Sequence, residues 1–213
     1  KIFKLKGRPK LNPLIIHYYD IRKILNDVVI NDNFIKLYKK LCPGPITFIL
    51  KKNKNSKINN LASAKLKTVA IRFPKHKVAR SILKNINYPL AMPSANISSN
   101  ISPVSARDVY DEFKNKIKII VDGGQSIIGI ESTVVDLTNK PKILRPGIIV
   151  TSNNLSAISS LTTFEETIAM QFHHNAHLIR HGAHLKIYKR LFETYYEICE
   201  KQHGLLHYLH VNY

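Results

Sequence analysis

The sequence predicts an α/β protein, and three observations support that class. Short runs of apolar, β-branched residues alternate with segments whose apolar residues recur every three or four positions, which is typical of strands alternating with helices. The chain has 213 residues, of which 44% are hydrophobic, enough to bury a core. All ten prolines lie before residue 147, and eight of the ten histidines lie between His173 and His210, so the composition changes near residue 150.

The predicted elements follow in order from these patterns. The predicted strands are residues 14–19, 46–50, 68–73, 89–92, 118–121, 133–137 and 143–144. The predicted helices are residues 33–41, 75–84 and 106–114, with residues 155–161 as a closing helix. In the first helix Phe34, Leu37 and Leu41 share one face. Ser105 precedes the third helix as an N-cap, with Asp108 in its first turn.

The composition limits the function classes. Only Cys42 and Cys199 are present, which excludes a disulfide scaffold. No apolar run reaches the roughly 18 residues of a membrane span, so we expect no membrane contact and a cytoplasmic location. The net charge of +19 lies within residues 1–150, which hold 28 Lys and Arg against 9 Asp and Glu. Such a charge favours phosphate-bearing partners, although a Lys/Ile/Asn-rich composition also arises from biased codon usage.

Four clusters stand where predicted strands give way to loops. In the first, Lys6 and Arg8 carry two nearby positive charges, which favours either a bound polyphosphate or an ordinary basic turn. In the second, Arg72 ends an apolar strand and needs an anionic partner, either a substrate carboxylate or phosphate, or else Asp122 or Glu131.

The other two clusters are rich in small residues. Residues 93–102 contain Ser94, Asn96 and Ser102, which are typical of an anion-binding nest and equally of a plain loop. Residues 122–136 contain three glycines and two adjacent hydroxyl residues, which indicate a tight loop against a ligand. This segment lacks both the Walker ending and the dinucleotide fingerprint, so neither common phosphate-binding device is predicted.

Six segments together resemble the YrdC-like threonylcarbamoyl-AMP synthases, from about Lys1 to about Val150. In order, they are KGRPKLNPLIIH, PGPITFIL, TVAIRFP, PLAMPSANIS, DGGQSIIGIESTVVDL and ILRPG. The resemblance implies a twisted, mixed open sheet flanked by helices around a positively charged cavity. It also implies an enzyme that joins L-threonine, bicarbonate and ATP into threonylcarbamoyl-AMP and pyrophosphate, for threonylcarbamoyladenosine modification of tRNA. Mg²⁺ would accompany ATP, and tRNA-modification proteins would be partners.

The resemblance also implies roles for individual residues. Lys6 and Arg8 would hold the triphosphate and act in catalysis. Threonine would be bound by His17, Arg72, Met92 and Ser132. The nucleotide would be bound by Arg8, Asn12, Thr68, Ser94, Ser102 and Arg145. No protein side chain is assigned to a metal.

Three departures from the family pattern shape the expected organisation. A Thr-rich segment resembling TETVYGL is expected before Lys6 and is absent, which predicts a fragment or the product of a broken gene. Ser99 stands where the family usually has glycine, which predicts a stiffer loop. We expect a catalytic domain over residues 1–161 and a His-rich, helical or irregular tail over residues 162–213.

The tail allows several interpretations. A face with His173, His177 and His181 and another with Cys199, His203 and His207 predict a metal site, a packed amphipathic helix or sequence read out of frame. For the whole chain, the alternatives to the synthase are a non-catalytic RNA-binding domain on the same fold, an inactive fragment, or a carbamoyl-transfer domain.

Overall fold

The computed structural model describes residues 1–127, 129 and 131–151. The predicted helix over residues 155–161 and both histidine faces of the tail lie outside the described residues. Among those that the structure describes, no helix is long and apolar enough to cross a membrane.

Six strands form one open sheet with both parallel and antiparallel neighbours, as the sequence predicts. The strands are β1 (Ile15–His17), β2 (Ile46–Lys51), β3 (Thr68–Arg72), β4 (Leu90–Ala91), β5 (Thr133–Asp136) and β6 (Lys142–Arg145). Their spatial order is β4-β1-β3-β2-β5-β6. The pairs β1–β3 and β2–β5 are parallel, and the other three pairs are antiparallel.

Helices connect these strands. They are α1 (Ile2–Lys6), α2 (Asp32–Leu41), α3 (Lys77–Lys84), α4 (Ala106–Phe113) and α5 (Ile148–Thr151), with short 3₁₀ turns at Ile21–Ile24 and Lys114–Lys116. The predicted cap of α4 is confirmed, because the Ser105 hydroxyl accepts from the Asp108 amide at 3.2 Å. The Asp108 carboxylate in turn accepts a hydrogen bond from the Ser105 amide, so the two residues form a capping box.

One face of the sheet carries the core. Ile16, Ile71, Phe48 and Val135 are neighbours across four adjacent strands, and each is at most 3% exposed. Phe34 of α2 packs edge-on against Phe48, with ring centroids 5.1 Å apart. Because side chains alternate along a strand, the residues between these core positions face the opposite side. That side holds the polar groups of the candidate site.

Two local predictions fail. Residues 118–121 form no strand, and Ile119 and Val121 are 80% and 59% exposed. Their β-branched side chains favour a strand only where a neighbour completes the hydrogen bonding, and no described strand pairs with them. In addition, α1 was not predicted. It ends in Gly7, whose φ of 60° is the left-handed conformation of a helix C-cap.

Candidate active site

A row of polar side chains crosses the face of the sheet opposite the core. Arg72 of β3 is the register partner of His17 in β1 and of Thr47 in β2. These three residues therefore share one face. His17 and Arg72 stand at the carboxyl ends of two parallel strands, where ligands of open α/β sheets usually bind.

Arg72 has the environment of a ligand-binding arginine. Its Nε is fully buried and has no hydrogen-bond partner among the described residues. Burial, followed by repulsion from Arg145, lowers the pKa of its guanidinium, while Glu131 acts in the opposite direction. No ion pair joins Arg72 to Asp122 or Glu131 among the described residues, so the protein-partner alternative is not realised. A buried guanidinium without a partner favours an anionic ligand.

Arg145 is held beside this row by Ser132. Its Nε and Nη2 donate to the Ser132 carbonyl at 3.1 and 2.8 Å, and Nη2 also contacts Ser132 Oγ at 3.1 Å. Ser132 Oγ in turn lies 2.8 Å from Thr47 Oγ1. Gly147 packs directly on this backbone, since a Cβ there would lie 2.4 Å from Thr133 N. The end of β6 is thus fixed against the start of β5.

A cavity of about 440 Å³ opens at this position. Arg72, Ser94, Ser102 and Glu131 line it, together with the start of α4 and the glycine-containing segment near Gly123. Ser102 Oγ donates to Glu131 Oε1 at 2.8 Å, and Glu131 Oε2 lies 3.7 Å from Arg145 Nη2. Cationic and hydroxyl groups therefore surround one carboxylate.

Lys6 and Arg8 approach the cavity from the end of α1. Lys6 is 4% exposed, and its ammonium donates to the carbonyls of Ser94 and Asn96 and to Asn96 Oδ1. Burial, followed by the charge of Arg8, lowers the pKa of Lys6. Its donors tie the first cluster to the third, which sequence alone did not predict.

Arg8 is organised by the residues that follow it. Its Nη2 donates to Asn12 Oδ1 at 2.7 Å and to the Pro13 carbonyl at 2.8 Å. Burial lowers its pKa, and Glu131 partly opposes that shift. Asn12 therefore orients Arg8 in this structure.

His17 lies beside Arg72 and is 5% exposed. Burial, together with the positive charge of Arg72, lowers its pKa to about 4, so the imidazole is neutral near pH 7. It lines a second cavity, of about 670 Å³, rather than the one that Arg72 lines. His17 is thus the neighbour of Arg72 on the adjacent strand, but it faces a different cavity.

Two predicted site residues are placed differently from the others. Thr68 begins β3, whereas Arg72 ends it, so about 13 Å of extended strand separates them. Thr68 lines a separate cavity near Lys67. Its grouping with the nucleotide residues is therefore not supported, because the first and last residues of a strand lie at opposite ends of that strand. The Met92 amide donates to the Ile15 carbonyl at 3.2 Å and is thereby committed to the sheet.

Sequence reasoning missed the contacts of three residues, although it had placed Asn96 in a possible anion-binding nest. Glu131 was considered only as a partner of Arg72, yet it contacts Ser102 and Arg145. Thr47 is fully buried, and its hydroxyl lies 2.8 Å from Ser132 Oγ. Asn96 Oδ1 accepts a hydrogen bond from the Lys6 ammonium. The sequence offered a signal only for Glu131, which is a charged residue within an apolar, glycine-rich segment. No group of three or more metal-ligating side chains occurs among the residues described here.

Fold and site together define a class: an open, mixed α/β sheet whose strand ends carry a cavity lined by Arg72, with Arg145 beside it, suited to anions. The family model described as Telomere recombination, covering Sua5, YciO and YrdC, matches residues 1–147. The chain therefore belongs to the Sua5/YciO/YrdC family.

Individual relatives agree with this assignment. A threonylcarbamoyl-AMP synthase of Pyrococcus abyssi is 42% identical over 151 residues, covering 69% of this chain and 43% of the relative. One from Bacillus subtilis is 41% identical over 150 residues, with coverages of 69% and 43%. The crystal structure of P. abyssi Sua5 complexed with L-threonine matches with a TM-score of 0.70 at 40% identity, covering 75% of this chain and 47% of that one. This chain thus spans about two fifths of the length of these curated relatives.

Proposed function

We propose that this chain carries the catalytic site of a threonylcarbamoyl-AMP synthase. The observation that carries the proposal is the convergence of four cations, Arg72, Arg145, Arg8 and Lys6, on one carboxylate, Glu131, which lines the same cavity as Arg72. The names of the relatives, and the threonine complex of P. abyssi Sua5, support the same reaction.

The proposed reaction has two steps. The neutral amine of L-threonine attacks the carbon of bicarbonate, and water leaves as the carbamate forms. A carbamate oxygen then attacks the α-phosphorus of ATP. The bond between that phosphorus and the α–β bridging oxygen breaks, and pyrophosphate leaves. Negative charge accumulates on phosphate oxygens in this second step, so fixed cations provide the main stabilisation.

The residues divide this work by position. Arg72, whose buried Nε has no partner among the described residues, binds the threonine carboxylate. The proposal also assigns His17, Met92 and Ser132 to threonine, although none of the three lines the cavity of Arg72. Arg8, oriented by Asn12, and Arg145 neutralise the phosphates. Lys6 adds its charge from beneath the loop that carries Ser94.

Ser102 has a further constraint. Its only hydroxyl proton is donated to Glu131, so in this arrangement it offers lone pairs to a ligand rather than a proton. It suits a ribose hydroxyl or adenine amine better than a phosphate oxygen. Mg²⁺ enters as part of the substrate MgATP, and bicarbonate enters from solution. Cytoplasmic tRNA-modification proteins are the partners that this product implies.

Exchange of labelled pyrophosphate into ATP tests the reaction. We expect exchange that requires both L-threonine and bicarbonate, because only then does the adenylate form reversibly. Arg72→Ala should abolish the threonine-dependent exchange. Arg107→Ala is the matched control, since the Arg107 side chain is 77% exposed and contacts Asp111 and the Tyr110 ring on the surface of α4. Folded protein with no threonine-dependent exchange would refute the proposal.

The non-catalytic alternative predicts the opposite binding behaviour. An RNA-binding domain without the enzyme activity would bind RNA in a salt-sensitive manner and would not bind ATP. Micromolar binding of ATP at moderate salt would reject that alternative.

A further inference from the structure

The candidate active site contains a carboxylate where an anionic substrate is expected to bind. Glu131 lines the cavity of about 440 Å³ together with Arg72, and it is the only acidic residue among the described residues that line this cavity. A negative charge at this position repels an anionic substrate and so opposes the attraction of the surrounding cations. Its presence therefore calls for a role in the site.

Glu131 acts on every cation of the site. Burial lowers the pKa values of Lys6, Arg8, Arg72 and Arg145, and the charge of Glu131 opposes that shift in all four. In addition to burial, the cations act on one another. Arg8 lowers the pKa values of Lys6 and Arg145, and Arg145 lowers that of Arg72. Glu131 thus offsets a mutual repulsion that the four cations would otherwise have.

The contact between Glu131 and Arg145 is an ion pair without a close hydrogen bond. Glu131 Oε2 lies 3.7 Å from Arg145 Nη2, beyond the roughly 2.7–2.9 Å of a charge-assisted hydrogen bond. Arg145 donates instead to the Ser132 carbonyl, and Arg72 Nε has no partner among the described residues. Glu131 therefore compensates the arginine charges without occupying their hydrogen-bond donors.

The carboxylate of Glu131 is positioned but not enclosed. Its Oε1 accepts a hydrogen bond from Ser102 Oγ at 2.8 Å, while 31% of the side chain remains exposed. Because solvent already reaches the carboxylate, little hydration has to be regained when it moves away from the cations. A more highly charged anion can therefore take its place beside them.

We propose that Glu131 is an internal counter-anion that competes with polyphosphate for the four cations of the site. When no substrate is bound, it offsets their repulsion. A triphosphate displaces it because phosphate groups carry more negative charge and offer oxygens that accept hydrogen bonds from the guanidinium groups. Glu131 returns to the cations as pyrophosphate leaves, so the product is not held too tightly. Glu131 is a positioning residue in this account, since it acts through the cations and not on the reacting atoms.

The choice of pyrophosphate as the competing anion rests on the proposed function, whereas the competition itself does not. Binding of pyrophosphate can be measured without turnover. Tighter binding by a Glu131 variant of a protein that shows no threonine-dependent exchange would refute the proposed function alone. Normal exchange by a protein whose Glu131 variant binds pyrophosphate no more tightly would refute the present proposal alone.

Glu131→Gln is the test variant, because glutamine has nearly the same shape and can still accept the hydrogen bond from Ser102. Glu131→Asp retains the charge. Binding of inorganic pyrophosphate is measured by calorimetric titration, with and without Mg²⁺, and binding of L-threonine is measured in parallel. Thermal melting verifies folding.

Glu112→Gln is the matched control and removes the same charge. The Glu112 carboxylate accepts hydrogen bonds from the Ile97 amide at 2.8 Å and from Asn100 Nδ2 at 2.7 Å. It acts on the pKa of Lys6 but is not among the charges that act on the three arginines. It therefore separates the local effect of Glu131 from a general change in net charge.

We expect Glu131→Gln to bind pyrophosphate about ten-fold more tightly than the parent, because a competing charge beside the cations is removed. Glu112→Gln should stay within about two-fold of the parent, since distant exposed charges are screened, and so should Glu131→Asp. Local damage to a site weakens binding, so a gain in affinity distinguishes competition from a structural role. If Glu131→Gln is too unstable for titration, pyrophosphate should raise its melting temperature by more than it raises that of the parent.

Unchanged or weaker binding of pyrophosphate by Glu131→Gln, or an equal or smaller rise in its melting temperature, would overturn the proposal. Weaker binding confined to the titration with Mg²⁺ would do the same, because Glu131 would then be a ligand of the substrate's metal. A loss of threonine affinity without a gain for pyrophosphate would instead make Glu131 the receptor of the threonine ammonium. Equal gains for Glu131→Gln and Glu131→Asp, or for Glu131→Gln and Glu112→Gln, would also contradict competition by a local charge.

Discussion

The two ends of the same central strands differ in how they hold positive charge. At the arginine end, Ser132 and Glu131 hold Arg145, Arg72 Nε is fully buried, and burial chiefly lowers the pKa values of both arginines. At the other end, which we call the lysine end, Lys51, Lys54, Lys65 and Lys67 are exposed around a cavity of about 1250 Å³. Fixed, desolvated cations interact strongly with one defined ligand, whereas exposed cations are screened by solvent. The difference predicts distinct responses to mutation.

The largest effect is expected from Gly147→Ala at the arginine end. The new Cβ would lie 2.4 Å from Thr133 N and 2.5 Å from the Glu131 carbonyl, both backbone atoms that cannot move independently. We expect a loss of about 3 kcal/mol in the free energy of unfolding, measured by chemical denaturation.

Gly124→Ala is its control. Apart from Gly124 and its chain neighbours, no atom of the described residues lies within 4 Å of where a Cβ would stand, and only its φ of 82° opposes a side chain. A loss of about 1 kcal/mol is expected there. Equal losses for the two variants would mean that the strand ends are not packed as described.

A pH-dependent loss of stability, about as large as the loss expected for Gly147→Ala, is expected from His17. Its pKa falls from the ordinary 6.5 to about 4 on folding, so the unfolded chain binds more protons between those values. The contribution of neutral His17 is complete above pH 6.5 and is lost as the pH falls towards 4, by about 3 kcal/mol. The unfolding free energy of the parent should therefore fall more steeply over this range than that of His17→Gln. Parallel curves would show that His17 titrates normally.

Arg72→Met separates binding from stability. Removing a charge-assisted contact of roughly 1.5–3 kcal/mol should weaken threonine binding about ten-fold to about a hundred-fold. The same change removes a buried guanidinium whose Nε has no partner, so the free energy of unfolding should stay equal or rise. Calorimetric titration with threonine and denaturation provide the two readouts. A variant that loses stability but keeps its affinity would make Arg72 structural.

The smallest effect is expected at the lysine end. Lys67→Glu places an opposite charge beside Lys52, so stability should rise by roughly 0.2–1 kcal/mol. A drop in thermal stability would show that lysine repulsion is negligible there.

Local patterns predicted most of the fold, and distant contacts limited the rest. The apolar face of α2 and the cap at Ser105 depend on neighbours within four residues, so sequence sufficed for both. Residues 118–121 failed because a strand needs a partner that local sequence does not specify. The resemblance assigned Thr68 to the nucleotide and Arg72 to threonine within one site, yet they stand at opposite ends of an extended strand. Lys6 contacts Asn96, which lies 90 residues away in the sequence, and local sequence patterns cannot predict such a contact.

Ser99 shows how sequence and structure combine. The resemblance stated from the sequence leads us to expect glycine at this position, and the φ of 73° at Ser99 lies in the left-handed region that glycine adopts most readily. It stands third in a turn closed by the Asn100 amide on the Ile97 carbonyl at 3.1 Å. The departure therefore adds strain close to Ser98, whose amide binds the Lys6 carbonyl.

Incorporation of labelled bicarbonate carbon tests the central claim, that the arginine end performs the chemistry, most directly. The parent and a variant of the lysine end that carries Lys54→Gln, Lys65→Gln and Lys67→Gln should both convert labelled bicarbonate into an adenylate only when L-threonine and MgATP are present, and Arg72→Met should not. Incorporation that is lost in this lysine variant and retained by Arg72→Met would contradict the account.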